Sequence, residues 1–146
     1  IVGGAGAIEM ELSKYLRNYS RSIKDKTQLI ISAYAKAMEV IPRQLAHNAG
    51  LDSTDVLNQL RYQHAKENTW IGVNIEDDEE GVLDAIKAFI WEPALNKKCA
   101  IAAATEATCT ILSIDETIKN AKAQEAVNNQ AAPVPGARQP GLASIN

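Results

Sequence analysis

Aromatic side chains are scarce in this sequence: they make up 5% of its 146 residues, with a single phenylalanine. That scarcity argues against the stacked-base platforms that hold single-stranded nucleic acids. A formal net charge of −3 removes the bulk attraction to a phosphate backbone or an anionic membrane surface. No apolar run reaches the roughly 18 residues of a membrane-spanning helix. The chain opens on Ile1, with neither an initiator methionine nor the basic segment of a secretory leader, and reads as a processed or truncated polypeptide. The only two cysteines are Cys99 and Cys109. Ten residues along one helix separate them by about 15 Å, beyond disulfide reach, and neither has partners at zinc spacing. Both are expected to be reduced core thiols, which suits a cytoplasmic protein and makes the Asn18-Tyr19-Ser20 sequon incidental. The two histidines, His47 and His64, have no metal-spaced partner either. They read as a helix-end residue and a satisfied helix-face residue.

What the chain does have is helical periodicity. With 46% apolar residues, one folded domain is expected. Ile8, Leu12, Tyr15, Leu16 and Tyr19 share one helical face. A polar connection at Ser20 to Lys26 leads to an Ala- and Leu-rich helical stretch, "TQLIISAYAKAMEVIPRQLAHNAG", in which a kink or break is predicted at Ile41-Pro42. Gly50 supplies the stop, and Asp52 or Ser53 caps the next helix, whose buried face is Val56, Leu57, Leu60 and His64. "NTWIGVNI" suits a short extended piece, and the acidic run "EDDEEG" a solvated loop. Val82 to Ile90 reads as a short helix. Pro93 opens the next helix, "ALNKKCAIAAATEATCTIL", whose small residues on several faces predict a buried central position. "CTILSIDETI" then turns β-branched and is expected to form a strand. The Pro- and Gly-rich stretch at 120–146 is expected to be a disordered tail.

No nucleophile elbow or catalytic constellation stands out. Glu9 and Glu11 sit in the first helix turn, where the helix dipole favours carboxylates for stability alone. Three features have ligand-binding chemistry. "IVGGAGAIEMEL" places Gly3, Gly4 and Gly6 directly before a helix N-terminus, although at neither the dinucleotide nor the P-loop spacing. In "TWIGVNI", Gly72 allows close approach to the backbone, and Asn74 offers both donor and acceptor. In "FIWEP", Glu92 is a carboxylate able to accept from the two hydroxyls of a ribose.

"VGGAGAIEMELSKYLRNYSR", "AYAKAMEVIPRQLAHNAGLD", "TWIGVNI", "FIWEPALNKK" and "ILSIDETIKN" follow one another in the order found in group II chaperonins, which residues 1 to 120 resemble. Within that family the chain looks like a subunit of the eukaryotic cytosolic chaperonin. "AIEMELSKYL" and "DETIKN" single out one subunit type among its paralogues. The resemblance implies a mainly α fold, the C-terminal half of the helical equatorial domain over residues 1–119, with short extended pieces and a flexible tail at 120–146. It further implies ATP or ADP as ligand. Gly4, Ala5 and Gly6 would lie beside the ribose, Gly72, Val73 and Asn74 beside the adenine, Glu92 on the ribose hydroxyls, and Lys97 near the nucleotide. The phosphate-binding loop and the groups for magnesium and catalysis have no match here and would come from outside this segment. The implied partners are other subunits in a hetero-oligomeric double ring, with the strand near Leu112 to Ile118 pairing with a neighbour. Unfolded client proteins would be held by a domain not present in these residues, and neither nucleic acid nor membrane is implied. The family turn usually reads Gly-Gly-Gly-Ala, and here Ala5 takes the middle glycine. If that position requires positive φ, the alanine costs on the order of 1 kcal/mol. A competing reading is a non-catalytic helical interaction module that binds no nucleotide.

Overall fold

A computed structural model describes residues 1–76 and 81–118, so the acidic run and the tail fall wholly or largely outside the described residues. The chain divides into a unit of Ile1–Ala104 and a second that begins at Thr105. In order, the elements are β1 (Val2–Gly3), α1 (Ala7–Ser22), α2 (Thr27–Met38), α3 (Val40–Asn48), α4 (Ser53–Ala65), β2 (Ile71–Val73), β3 (Val82–Asp84), β4 (Trp91–Glu92) and α5 (Ala94–Leu112). The mainly α character agrees with the sequence. Two small antiparallel ladders accompany the helices: β1 with β4, pairing Val2 with Glu92, and β2 with β3, pairing Gly72 with Leu83.

The apolar core joins α1, α3, α4 and β2 through Met10, Ala46, Val56, Leu57, Leu60 and Val73. α4 forms as its sequence predicts. The Asp52 carboxylate accepts from the backbone N–H groups of Thr54 (2.8 Å) and Asp55 (3.3 Å), and Val56, Leu57, Leu60 and His64 are buried. α3 ends in a Schellman motif, with Gly50 at φ 81° donating to His47 O and Leu51 donating to Ala46 O. The break before α3 falls at Glu39 rather than at Ile41-Pro42. Pro42 sits in the first turn of α3, where its missing N–H would have had no helical partner.

Buried polar side chains tie the helices together. Glu39, at the α2–α3 break, is 2% exposed. It accepts from Ser13 Oγ (3.1 Å) and Arg17 of α1 and from Arg61 Nη2 of α4 (2.5 Å). Burial works to raise the pKa of Glu39, but the Arg61, Arg17 and Ser13 contacts outweigh it and hold the carboxyl below its ordinary value. His64 meets oxygen acceptors on both sides, Glu11 Oε2 at Nδ1 and Ile71 O at Nε2, each at 2.8 Å. It is the satisfied helix-face histidine the sequence predicts, and it fastens β2 to α1 and α4.

Several expectations are corrected. The apolar stripe of α1 is not the buried face: Ile8, Leu12 and Leu16 are half-buried and the stacked rings of Tyr15 and Tyr19 exposed, while Ala7, Met10, Ser13 and Ser20 are buried. The small Ser13 and Ser20 let α2 approach closely, which a hydrophobicity pattern does not register. Val82 to Ile90 is not a helix. Val82 and Leu83 pair with β2, and the Asp84 carboxylate accepts from Ile86 N and Lys87 N, turning the chain before helical bonding propagates. α5 is not buried: none of its residues is. Ala94, Lys97, Ile101 and Thr105 are only half-buried, and Cys99 and Cys109 are exposed thiols rather than core ones. The expected strand at "CTILSIDETI" is absent from the described residues. α5 continues to Leu112, and 114–118 has no regular structure, because a strand requires a partner ladder that this stretch does not meet.

Candidate functional site

The glycine turn is the hub of the site. β1 leads into Gly4-Ala5-Gly6, and α1 begins at Ala7. Ala5 has φ 54° and Gly6 φ 78°, so two consecutive residues occupy the left-handed region. That conformation lets the Ala7 N–H donate to Gly4 O (3.0 Å) and the Met10 N–H to Gly6 O (3.1 Å), starting α1 without a side-chain cap. The requirement for positive φ at Ala5 is therefore present, and its methyl group is strained there. Replacing Ala5 with glycine is expected to stabilise the protein by up to about 1 kcal/mol, read as a higher urea midpoint with an unchanged slope.

Two chain segments grip the turn. On one side Val73 N–H donates to Ala5 O at 2.8 Å. A Cβ on Gly72 would stand 2.8 Å from Ala5 O and 2.9 Å from Ala5 Cβ. The space over Gly72 is thus filled by the turn itself, and the glycine serves to let β2 lie on it. On the other side Gly4 N–H donates to Ile90 O at 2.9 Å, and a Cβ on Gly4 would meet Glu92 Oε1 at 2.9 Å and Ile90 Cγ2 at 3.0 Å. The Glu92 carboxylate and the Ile90 side chain therefore lie over bare backbone.

Beside the turn is a pocket of about 300 Å³ whose walls include Ala5, Leu45, Val73, Asn74, Leu83 and Ile90. Its lining is mostly apolar, with Asn74 and Glu76 as polar members, which suits a flat heterocycle with a few hydrogen-bonding edges. Asn74 is itself held, its Oδ1 accepting from Glu76 N at 3.1 Å. Leu45, Leu83 and Ile90 carry no sequence signal for such a role, since an apolar residue that lines a pocket looks like one that fills a core.

Lys97, in the first turn of α5, places its ammonium between two carboxylates, Glu9 Oε1 and Glu92 Oε2, each at 2.7 Å. Burial works to lower its pKa, but the contacts with Glu9 and Glu92 prevail and hold it above the usual lysine value. Its charge is spent inside the protein, so it orients Glu92 rather than standing free for a phosphate. The turn, Val73-Asn74 and Glu92-Lys97 thus come together, all within Ile1–Ala104. Among the described residues there is no cluster of three or more metal-ligating side chains, and no helix is long and apolar enough to cross a membrane.

A sequence model of the TCP-1/cpn60 chaperonin family matches residues 1–122. T-complex protein 1 subunit eta of Dictyostelium discoideum is 58% identical over 135 residues, covering 89% of this chain and 24% of that protein. The Homo sapiens eta subunit is 58% identical over 120 residues, 82% of this chain and 22% of that protein. The Saccharomyces cerevisiae eta subunit is 53% identical over 137 residues, 94% of this chain and 24% of that protein. The chain thus spans about a quarter of the length of these relatives. Among solved structures, the open-state monomer of a group II chaperonin from Methanococcoides burtonii superposes with a TM-score of 0.73 at 45% identity, covering 77% of this chain and 28% of that one.

Proposed function

Because this chain belongs to the TCP-1/cpn60 chaperonin family, we propose that it is part of an ATP-dependent chaperonin subunit of the eta type and forms the ribose and adenine side of its nucleotide site. Residues 1–119 correspond in this reading to the C-terminal half of the equatorial domain. The observation that carries it is the convergence on one turn of an apolar pocket and a carboxylate over bare glycine. The pocket between Leu45, Val73 and Ile90 takes the adenine, with Asn74 at its edge. Glu92 accepts from the ribose hydroxyls, its Oε1 lying over Gly4, where no side chain intervenes. The residues present fit the base and sugar of ATP. Lys97 is engaged by two carboxylates, so the phosphates and magnesium fall to groups elsewhere in the subunit.

When bound, ATP supplies the phosphoryl-transfer energy that drives chamber closure around an unfolded client. This chain's residues bind and orient base and sugar. The rest of the assignment follows the same reading: a cytoplasmic protein, other chaperonin subunits as ring partners, and clients held by a domain outside these residues.

Photolabelling with 2-azido-ATP, followed by peptide mass spectrometry, tests the reading on the assembled complex because it reports this chain separately from its neighbours. Label is expected on the peptide spanning Val73–Glu76, with ATP protecting about tenfold better than 2′-deoxy-ATP, the value of one hydrogen bond to a charged group. Glu92→Ala is expected to erase that preference. No label on the peptide, or equal protection by the two nucleotides, refutes the assignment.

A further inference from the structure

Glu9 is the most deeply buried member of the carboxylate–lysine–carboxylate array, its side chain 3% exposed against 22% for Lys97 and 37% for Glu92. A carboxylate in a first helix turn needs no burial to interact with the helix dipole, so the dipole alone does not account for it. Among the described residues, Glu9 Oε2 is the buried side-chain oxygen left without a hydrogen-bond partner. Leaving a buried carboxylate half satisfied is costly, and its remaining contact is a single one, to Lys97.

The three residues come from three elements: Glu9 from α1, Glu92 from β4 and Lys97 from α5. One ammonium shared between two carboxylates leaves a net negative charge. The buried carboxylate holds its end of the bridge, and the exposed one keeps an oxygen available. We infer that Glu9 is a positioning residue for the ribose carboxylate: it anchors the Lys97 ammonium so that Lys97 engages only Oε2 of Glu92 and leaves Oε1, over Gly4, for a sugar hydroxyl. This inference rests on the proposed role of Glu92 and deepens it. Without the Glu9 charge, Lys97 is free to close on both oxygens of Glu92 and compete with the vicinal diol.

The prediction is specific to the sugar. In the assembled complex, Glu9→Gln is expected to reduce the ATP over 2′-deoxy-ATP preference in protecting the Val73–Glu76 peptide from about tenfold to about twofold. The 2′-deoxy-ATP concentration needed for half-protection stays unchanged. A purely structural role would weaken both nucleotides together. Lys97→Met removes the ammonium that holds Glu92 by Oε2, so the carboxylate is no longer kept with Oε1 over Gly4 and the same loss of preference is expected. It decides the matter if Glu9→Gln fails to assemble. If both variants keep the tenfold preference while Glu92→Ala loses it, the ribose reading stands and Glu9 is structural. Should the unsubstituted protein show no preference, the ribose reading falls and this inference with it.

Discussion

Replacing Gly72 with alanine lowers the stability of the protein by about 2–3 kcal/mol, the upper part of the range for overpacking a rigid site. The added Cβ would stand 2.8 Å from Ala5 O and 3.1 Å from Gly4 O, both backbone atoms, and 2.9 Å from Ala5 Cβ. None of these is the end of a flexible side chain that can swing aside. Gly72 lies in β2, paired with Leu83, so retreat would break the ladder with β3 or the 2.8 Å bond from Val73 N–H to Ala5 O. The same substitution is expected to lose azido-nucleotide labelling, because lifting β2 off the turn opens the pocket wall that Ala5 and Val73 share. Urea midpoints and labelling yields read the two effects separately. A midpoint unchanged from the unsubstituted protein would mean that the turn and strand are not in this contact.

Glu39→Ala is the second large effect, again about 2–3 kcal/mol. It removes the acceptor for Ser13, Arg17 and Arg61 at the junction of α1, the α2–α3 break and α4. Breaking a fully buried pair costs more, about 3–5 kcal/mol, but Arg17 and Arg61 are 40% and 41% exposed and regain water. Ser13, 1% exposed, does not. The carboxyl is held below its ordinary value in the folded state, so its contribution is fully present above the unfolded pKa. That contribution is lost as pH falls through the lower, folded pKa. Stability should therefore decline below about pH 4.5, and Glu39→Ala should flatten that decline. Glu11, lowered likewise against the opposing effect of burial by His64 and Lys14, adds to the acid sensitivity and remains in the variant. Urea titrations from pH 7 to pH 3 measure both slopes.

Much of the helical frame was legible from local chemistry. Asp52, Gly50 and the Val56–Leu57–Leu60–His64 face define α4 and its approach without reference to anything distant, and the Gly-Val-Asn stretch reads directly as extended. The cost of Ala5 was legible from the family turn as a condition on φ. What local patterns could not show was which faces are covered. α5 has no amphipathic period, so its sequence fits a helix surrounded on all sides and equally one with open sides. Val82–Ile90 has helical residues, yet one Asp84 side chain competing for backbone N–H groups redirects it. The meeting of the turn with Glu92 depends on pairing β1 with β4, and two-residue strands have no period to read. Glu9 was visible as a carboxylate; its burial was not.

That same short ladder has a consequence for the order in which the protein comes together. Val2 pairs with Glu92, so the wall that carries the carboxylate closes through the most sequence-distant pairing in the sheet topology. Helices α1 to α4 find one another through shorter loops and pay less closure entropy. During synthesis from the N-terminus, the glycine turn and its β2 partner are out and able to pack well before Glu92 and Lys97 emerge. In the proposed site the base side is thus available first, and the sugar side is added last, by a ladder two residues long on each strand.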